Sequence, residues 1–493
     1  MKKAPVNHAP AAQACVVLAM AAAVAGGCGL SGEGVAPPGD RVFYPSGLLA
    51  DPGSRWLYVV SSNADLRYSS GTLTAVDLRA AAGHRAEPGW APCPGLGAAA
   101  PPGGDACCRD VLDRDVLNCD ERAYISGRGT IRIGSFGGEI VQQTYDRGGE
   151  LWRRLFIAVR GEPSVSFVDA LPAADGSGVL LHCQGRPGDP PGTDVPDQAL
   201  ARCADDWRVR AAQADPARLL PAEPYALALD DKLGVLYVGH LRGGQVTVLD
   251  VCLPLGRAPD LVTIHEELFA PVNDNAGVTS LTVADPGSVD GRIYAGSRFS
   301  PIAGAFVVRG AGARECDPAA GTFLGRRDIA LVGAGGIIST AFSPLGADVR
   351  GFLFSADRRR AYLLHRRPGA VVVLDVRIDP GTGGQLFSPG AVVEVCAGPT
   401  RMMLHDAGRG PQLFVTCFEG GQVYVVDPER PAVVATIDIG RGPAALAFAP
   451  DAPDVGYVAG FSDNNLSVID LKPGSRTEHR VVQRIGFPSA VPR

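Results

Sequence analysis

The feature that most constrains the fold is a pattern that occurs twice in succession between Pro399 and Gly486. Each copy contains four short alternating runs rich in β-branched residues, and Gly, Pro, Asp or Asn separates the runs. The eight runs begin at Pro399, Leu413, Gln422, Val433, Pro443, Val455, Leu466 and Val481. Such a unit is typical of a four-stranded antiparallel sheet that must stack on its neighbours to bury its faces.

Similar units recur through the rest of the chain. Their first strands are predicted to begin at Tyr44, Glu139, Tyr225, Val278 and Ile338, and the last of these covers Ile338 to Ser343. The sequence therefore predicts an all-β protein, a seven-bladed β-propeller of four-stranded antiparallel blades with long disulfide-stapled loop insertions.

An aspartate ends the third strand of six units. These residues are Asp77, Asp169, Asp250, Asp375, Asp427 and Asp470. Because one residue type recurs at one place in the repeat, we interpret these carboxylates as caps of tight turns rather than as catalytic groups.

Three units carry a further local signature. It consists of a Tyr- or Phe-containing second strand followed ten residues later by Asp250, Asp427 or Asp470. The second strands are Leu236-Tyr237-Val238-Gly239-His240, Phe414-Val415-Thr416-Cys417 and Tyr457-Val458-Ala459-Gly460. These runs resemble the YVTN-type (YncE-like) seven-bladed β-propeller repeat. The resemblance implies the fold and little about function, because this fold serves binders, lactonases and redox enzymes alike.

The N-terminus has the pattern of an export signal. Lys2 and Lys3 precede an apolar run from Ala14 to Gly27, which is too short to span a bilayer. The run leads directly into Cys28 and resembles the lipobox of bacterial lipoproteins. This resemblance implies cleavage before Cys28 and a lipid anchor on that cysteine. The alternative is an ordinary signal peptide with an incidental cysteine.

These segments define the expected domains and location. Residues 1–27 are predicted to be a lipoprotein signal peptide, residues 28–40 a flexible tether, and residues 41–493 one propeller domain. Gly29, rather than Asp, follows the cysteine, which favours an outer-membrane lipoprotein of a Gram-negative cell envelope.

Ten cysteines remain after Cys15 and Cys28 are set aside. An even number in an exported chain predicts disulfides. Position on the propeller faces favours Cys396 with Cys417 and Cys183 with Cys203, and less strongly Cys252 with Cys316. Cys93, Cys107, Cys108 and Cys119 also belong to the disulfide set, but their pairing stays open. The insertions, at about 81–129 and 171–219, are predicted to be stapled loops.

No motif fixes a chemistry. The chain has no phosphate loop, Gly-x-Ser-x-Gly elbow or His-Glu-x-x-His, so we expect no cofactor. The net charge of −6 argues against a nucleic-acid partner. His240 and His365 occupy equivalent repeat positions and are weak metal-ligand candidates. The preferred interpretation is that they are solvent-exposed or turn-bonded.

Two functional hypotheses remain. The favoured one is a monomeric, membrane-anchored binding or scaffold module whose propeller face takes a protein or glycan partner. The alternative is a propeller enzyme, a lactonase-like hydrolase or oxidoreductase, with its site at the central tunnel. Converging His, Glu and Arg would favour the enzyme, and small aliphatic residues would favour binding. The first strands look mostly small and apolar, which favours binding.

The sequence also predicts how the ring closes. Val481 to Gly486 is expected to be the outer strand of the last blade, so that all four of its strands come from the C-terminus. The first and last blades would then meet by packing alone, without a shared sheet.

Overall fold

The structure, a computed structural model, describes residues 34–95, 101–147, 150–173, 178–185, 200–210, 220–252, 258–265, 277–284, 286, 291–299, 302–309, 316, 330–339, 347–381 and 385–487. Its strands form seven hydrogen-bonded sheets, which we number in chain order. Each contains four antiparallel strands in the order of a β-meander, and together they make an all-β propeller with four-stranded antiparallel blades.

The strands of the first three sheets are as follows. Sheet 1 contains β1 (Pro45–Ala50), β2 (Trp56–Ser61), β3 (Gly71–Asp77) and β6 (Ile125–Ile133). Between β3 and β6 lie a helix α1 (Leu78–Ala86) and two short strands, β4 (Cys107–Arg109) and β5 (Leu117–Cys119). Sheet 2 contains β7 (Gly137–Arg147), β8 (Glu150–Val159), β9 (Ser164–Pro172), β10 (Val179–His182) and β11 (Arg208–Val209). Sheet 3 contains β12 (Pro224–Asp230), β13 (Val235–His240), β14 (Val246–Asp250) and β15 (Asp260–His265).

The other four sheets are simple meanders. Sheet 4 contains β16 (Val278–Val283), β17 (Arg292–Ser297), β18 (Ile302–Arg309) and β19 (Ala330–Ser339). Sheet 5 contains β20 (Ala347–Phe354), β21 (Arg360–Arg367), β22 (Gly369–Ile378) and β23 (Gln385–Glu394). Sheet 6 contains β24 (Pro399–His405), β25 (Gln412–Cys417), β26 (Gln422–Asp427) and β27 (Ala432–Asp438). Sheet 7 contains β28 (Pro443–Ala449), β29 (Ala452–Gly460), β30 (Asn465–Asp470) and β31 (Arg480–Ile485).

The first strands of the sheets form a ring. β1 packs on both β7 and β28, and the contacts continue from β7 through β12, β16, β20 and β24 to β28. The second strands behind them are almost wholly buried, because sheets cover both of their faces. The ring of first strands encloses a central channel, and the hydrophobic core lies between the sheets.

One first strand was assigned wrongly from the sequence. The predicted inner strand of blade 5, Ile338 to Ser343, begins inside β19, which is the outer strand of sheet 4, and residues 340–343 lie outside the described residues. The inner strand of sheet 5 is instead β20. Asp348 and Arg350 interrupt the apolar alternation of β20. The Gly- and Ile-rich end of β19, by contrast, has the small and apolar composition that we expected of an inner strand.

The turn-cap interpretation holds for four of the aspartates. The carboxylates of Asp77, Asp250, Asp427 and Asp470 accept hydrogen bonds from backbone amides two or three residues later. Asp169 is different, because it is buried and forms a two-point ion pair with Arg154 at 2.7 and 2.9 Å. Asp375 is exposed, and no cap is described for it.

The insertions cover the outer edges of preceding sheets. β5 pairs in parallel with β31, and β4 pairs with β5, so residues from sheet 1 extend sheet 7 to six strands. In the same way, the insertion of sheet 2 is hydrogen-bonded to β6 of sheet 1. The backbone amide of Arg132 in β6 donates to the carbonyl of Ala201 in the insertion at 2.9 Å. Covered edges cannot recruit foreign strands.

The junction between the first and last sheets, which we call the seam, differs from the prediction. All four strands β28 to β31 do come from the C-terminal part of the chain, as expected. However, the expectation of a seam without a shared sheet is wrong, because β5 supplies one. The first insertion is therefore more than a loop, because it contains a short hairpin that hydrogen-bonds the beginning of the propeller to its end.

Five disulfides are formed. The predicted pairs Cys396–Cys417, Cys183–Cys203 and Cys252–Cys316 are all present. The four cysteines of the first insertion pair as Cys93–Cys108 and Cys107–Cys119, and the second of these bridges joins β4 to β5. Cys183 directly follows the outer strand β10, not the third strand, so the Cys183–Cys203 bridge closes an excursion between β10 and β11.

Candidate functional site

Each of the seven first strands has an irregular register near its start. The shifts fall between Pro45 and Gly47, Gly137 and Ile140, Pro224 and Ala226, Val278 and Ser280, Val349 and Gly351, Pro399 and Arg401, and Pro443 and Ala445. A bulge inserts a residue and re-aims its side chain. The bulges lie at one end of the channel and include Tyr225 and Arg350.

Some polar side chains of this region tie one first strand to the next. Ser46 Oγ donates to the carbonyl of Gly137 at 2.6 Å, and Glu139 Oε2 accepts from the amide of Leu227 at 2.9 Å. Thr279 Oγ1 donates in the same way to the carbonyl of Val349. First strands are edge strands with unpaired backbone groups, so these bonds satisfy groups that would otherwise face the channel.

Two further contacts connect sheets that are not neighbours. Arg401 Nη1 in sheet 6 donates to Glu139 Oε1 in sheet 2 at 3.0 Å. Arg350 Nη1 in sheet 5 donates to the Tyr225 hydroxyl in sheet 3 at 2.9 Å. Arg350 Nη2 also donates to Asp348 at 2.7 Å. Side chains from four sheets therefore meet at one place in the channel.

Tyr225 is the centre of this group. The guanidinium carbons of Arg160, Arg350 and Arg401 lie 5.8, 5.8 and 5.7 Å from the centroid of its ring. Guanidinium groups at this distance are attracted by the ring quadrupole. We refer to Glu139, Arg160, Tyr225, Asp348, Arg350 and Arg401 as the channel cluster.

The cluster is electropositive. Three guanidinium groups stand against two carboxylates, and no ion pair of Arg160 is described among the residues of the structure. Burial by itself would raise the pKa of Tyr225, but the charges of Arg350 and Arg401 outweigh it, so the pKa lies below the ordinary value. The lowered pKa of Tyr225 is a consequence of the excess of positive charge at this point.

A cavity of about 240 Å³ adjoins the cluster inside the channel. Glu139, Arg350 and Arg401 contribute to its wall. Most of the remaining wall is apolar: Leu48, Leu49, Ile140, Leu281, Phe352, Leu353, Met402, Met403, Ala445 and Leu446. The site thus combines a charged end with an apolar body.

This arrangement can bind anions. Guanidinium groups donate paired hydrogen bonds to carboxylate and phosphate oxygens. Glu139 is poorly placed to act as a base, because Arg401 and the Leu227 amide occupy both of its oxygens. The Tyr225 hydroxyl accepts from Arg350 and keeps its own proton to donate.

The histidines singled out from the sequence do not belong to this site. His240 is buried, with its Nε2 2.9 Å from Thr247 Oγ1 and its Nδ1 3.2 Å from the carbonyl of Ala222. His365 is also buried, and burial lowers the pKa of both imidazoles to about 4. Neither is solvent-exposed. Among the described residues, no group of three or more His, Cys, Asp or Glu side chains is arranged to hold a metal ion.

The sequence did not lead us to predict the residues of the channel cluster as site residues. Arg401 lies within a strand that the sequence analysis read as small and apolar, and Arg350 lies in the strand that it did not find. The available signal was a single charged or aromatic residue close to the start of each of these first strands. Cys28 lies outside the described residues.

No helix in the described part of the chain has the length and apolar character needed to cross a membrane.

The chain matches no family model and no curated protein. Several solved structures match it at low sequence identity. The hydrazine synthase of Kuenenia stuttgartiensis matches with 11% identity and a TM-score of 0.45, over 92% of this chain and 100% of the other. The periplasmic gluconolactonase of Pseudomonas aeruginosa matches with 17% identity and a TM-score of 0.45, over 71% and 96%. The β-propeller domain of Cps50 (Swd1) from Myceliophteria thermophila matches with 9% identity and a TM-score of 0.43, over 87% and 96%.

Proposed function

We propose that this protein is an exported β-propeller that binds a small anionic molecule at the channel cluster. The observation that carries the proposal is the convergence of Arg350 and Arg401, from two sheets, on Tyr225 from a third. Side chains from several sheets meet here beside a cavity, as in many ligand sites.

A purely structural role explains only part of the cluster. The Glu139–Arg401 and Asp348–Arg350 pairs can hold the ring of first strands together. That role does not require a third guanidinium at Tyr225, nor a cavity next to the pairs. An excess of cations over carboxylates is what an anion site needs.

Isothermal titration with acetate and with inorganic phosphate tests the proposal. We expect saturable binding to the purified propeller and its loss in Arg401→Ala and Arg350→Ala. Arg430→Ala serves as the matched control, because Arg430 is an exposed, ion-paired arginine of sheet 6 outside the channel. Each variant is first checked by circular dichroism and thermal unfolding.

Two results would overturn the proposal: no binding of either anion, or equal binding by the wild type and both channel variants. The earlier hypothesis of a protein or glycan partner on a propeller face predicts the first result, because such a partner would contact the loops rather than the channel.

Hydrolysis of a lactone or ester is a second candidate, favoured by Tyr225. Its lowered pKa and its hydrogen bond from Arg350 suit a proton donor and acceptor beside an anion site. Tyr225→Phe should then abolish turnover of lactone substrates while anion binding persists. Turnover that is unchanged in Tyr225→Phe would remove this candidate.

The proposed location is extracytoplasmic. Five disulfides support an oxidising compartment. A lipid anchor on Cys28 in the outer membrane is a further proposal, tested by Cys28→Ala. The variant should be released in soluble form, whereas the native protein should partition into detergent. Recovery of native protein that is soluble and unmodified at Cys28 would refute the anchor.

A further inference from the structure

We infer that the channel ligand is amphiphilic, with one anionic head group and an apolar body. The inference rests on the proposed function and names the class of molecule that the site would take. The residues that line the cavity, rather than the channel cluster, define the apolar part of this ligand.

The cavity is charged only at one end. Glu139, Arg350 and Arg401 are the charged residues in its wall. Beyond them the side chains are aliphatic, thioether or aromatic. Leu48, Phe352, Met402 and Leu446 are buried in the cores between the sheets, and the apolar surface that faces the cavity comes from partly exposed side chains: Leu49, Leu281, Leu353 and Met403. A sugar acid would present hydroxyl groups to this wall, where few side chains can bond to them, and a buried hydroxyl without a partner destabilises the complex.

The few polar side chains in the wall are already engaged. Ser46 bonds to Gly137, and Thr282 Oγ1 donates to the carbonyl of Phe352. Ser280 Oγ lies 3.4 Å from the carbonyl of Val349. Their hydroxyls satisfy backbone groups of neighbouring first strands, so they are poorly available to a polyhydroxylated ligand.

The size of the cavity sets the scale of the apolar body. An apolar cavity of about 150 Å³ holds one benzene molecule in another protein. The present cavity of about 240 Å³ therefore has room for a ring with a short carboxylate arm. Phenylacetate matches this description, with its carboxylate at Arg350 and Arg401 and its ring against the partly exposed Met403.

The test compares phenylacetate, acetate, gluconate and inorganic phosphate by titration calorimetry on the same propeller. Phenylacetate should bind at least about tenfold more tightly than acetate or gluconate, since a buried ring adds more than ~1.4 kcal/mol of transfer free energy. Met403→Gln, which keeps the length of the side chain but adds polar atoms to the wall, should remove most of this advantage. Leu386→Gln is the control, because Leu386 is 57% exposed on the outer strand of sheet 5.

The outcomes separate this inference from the proposed function. Equal affinity for acetate and phenylacetate, or tighter binding of gluconate or phosphate, would overturn the amphiphilic ligand and leave the anion site in place. Binding of none of the four would overturn both. An advantage of phenylacetate that survives Met403→Gln unchanged would place its ring outside the cavity and also overturn the inference.

Discussion

The amide of Gly486 donates a hydrogen bond to the carbonyl of Cys119 at 2.9 Å. This bond joins the end of the last strand to an insertion of the first sheet. It continues the parallel pairing of β31 with β5, in which Gln483, Arg484 and Ile485 face Leu117, Asn118 and Cys119. Hydrogen bonds thus join the first and last sheets, in addition to the apolar packing between them.

The hairpin of β4 and β5 is itself held by a disulfide and by ion pairs. The Cys107–Cys119 disulfide crosses it. The carboxylates of Asp113 and Asp115 accept from Arg480 and Arg476 at 2.7 and 2.8 Å. These ion pairs are exposed and screened by solvent, so each contributes little to stability. The Cys107–Cys119 disulfide is therefore the contact whose removal should lower the stability of the hairpin most.

Removal of the seam disulfide should loosen the junction of the first and last sheets. We expect Cys107→Ala with Cys119→Ala to lower the free energy of unfolding by about 3 kcal/mol, the chain-entropy value for a loop of this length. The pair Cys396→Ala with Cys417→Ala is the control, because its bridge spans 21 residues and lies away from the seam. Both pairs should lose stability in chemical denaturation. Only the seam pair should also bind a hydrophobic dye below its unfolding midpoint, and equal dye binding by the two would refute the role of the seam.

Truncation after Lys472 should be more damaging. It removes β31, exposes the edge of β30 and leaves β5 without its partner. It also uncovers apolar side chains of the core shared by sheets 1 and 7. Exposed edges together with apolar surface lead to aggregation. Size-exclusion chromatography should show large oligomers, and a monomer with the unfolding temperature of the intact chain would contradict the expectation.

Much of this fold could be predicted, because the information is local. Tyr457 to Gly460 and Leu466 to Asp470 alternate with period two, and residues between them favour turns. The same local order let Cys396 be paired with Cys417, since one follows an outer strand and the other ends the next second strand.

The seam and the channel cluster could not be predicted, because both depend on distant pairings. β5 has only three residues, too few to show a period, and its partner β31 lies more than 360 residues away. Arg401 and Glu139 are separated by 262 residues. Each is a single charged residue in its own strand, and only closure of the ring brings them together.

Glu121 should make stability depend on pH. It is 7% exposed beside the seam, and burial raises its pKa to about 7. Because the folded pKa exceeds the unfolded one, the favourable contribution is present below about pH 4.5 and is lost as the pH rises through 7. In urea unfolding, Glu121→Gln should gain roughly 3 kcal/mol relative to the wild type between pH 4 and pH 8. Glu429→Gln, at an exposed site, should show no such change. A constant difference for Glu121→Gln at all pH values would contradict this account.

Tyr225 should make anion binding depend on pH. Its pKa lies below the ordinary value because of Arg350 and Arg401, although burial acts in the opposite direction. As the pH rises through that pKa, the phenolate neutralises the guanidinium groups that an anion needs, so affinity should fall at a lower pH than an ordinary tyrosine would cause. Calorimetry from pH 6 to pH 10 should show this fall in the wild type and in Tyr44→Phe, but not in Tyr225→Phe. A fall that persists in Tyr225→Phe would assign the titration to another group.

The most direct measurement of the central claim is the anion affinity of Glu139→Gln. If Arg401 binds anions, then Glu139 competes with the ligand for that guanidinium at 3.0 Å, whereas glutamine keeps the bond from the Leu227 amide without the charge. The variant should bind acetate and phenylacetate about tenfold more tightly than the wild type. Glu419→Gln, at an exposed carboxylate outside the channel, should leave the affinity unchanged. Unchanged or weaker binding by a folded Glu139→Gln protein would contradict an anion site at the channel cluster.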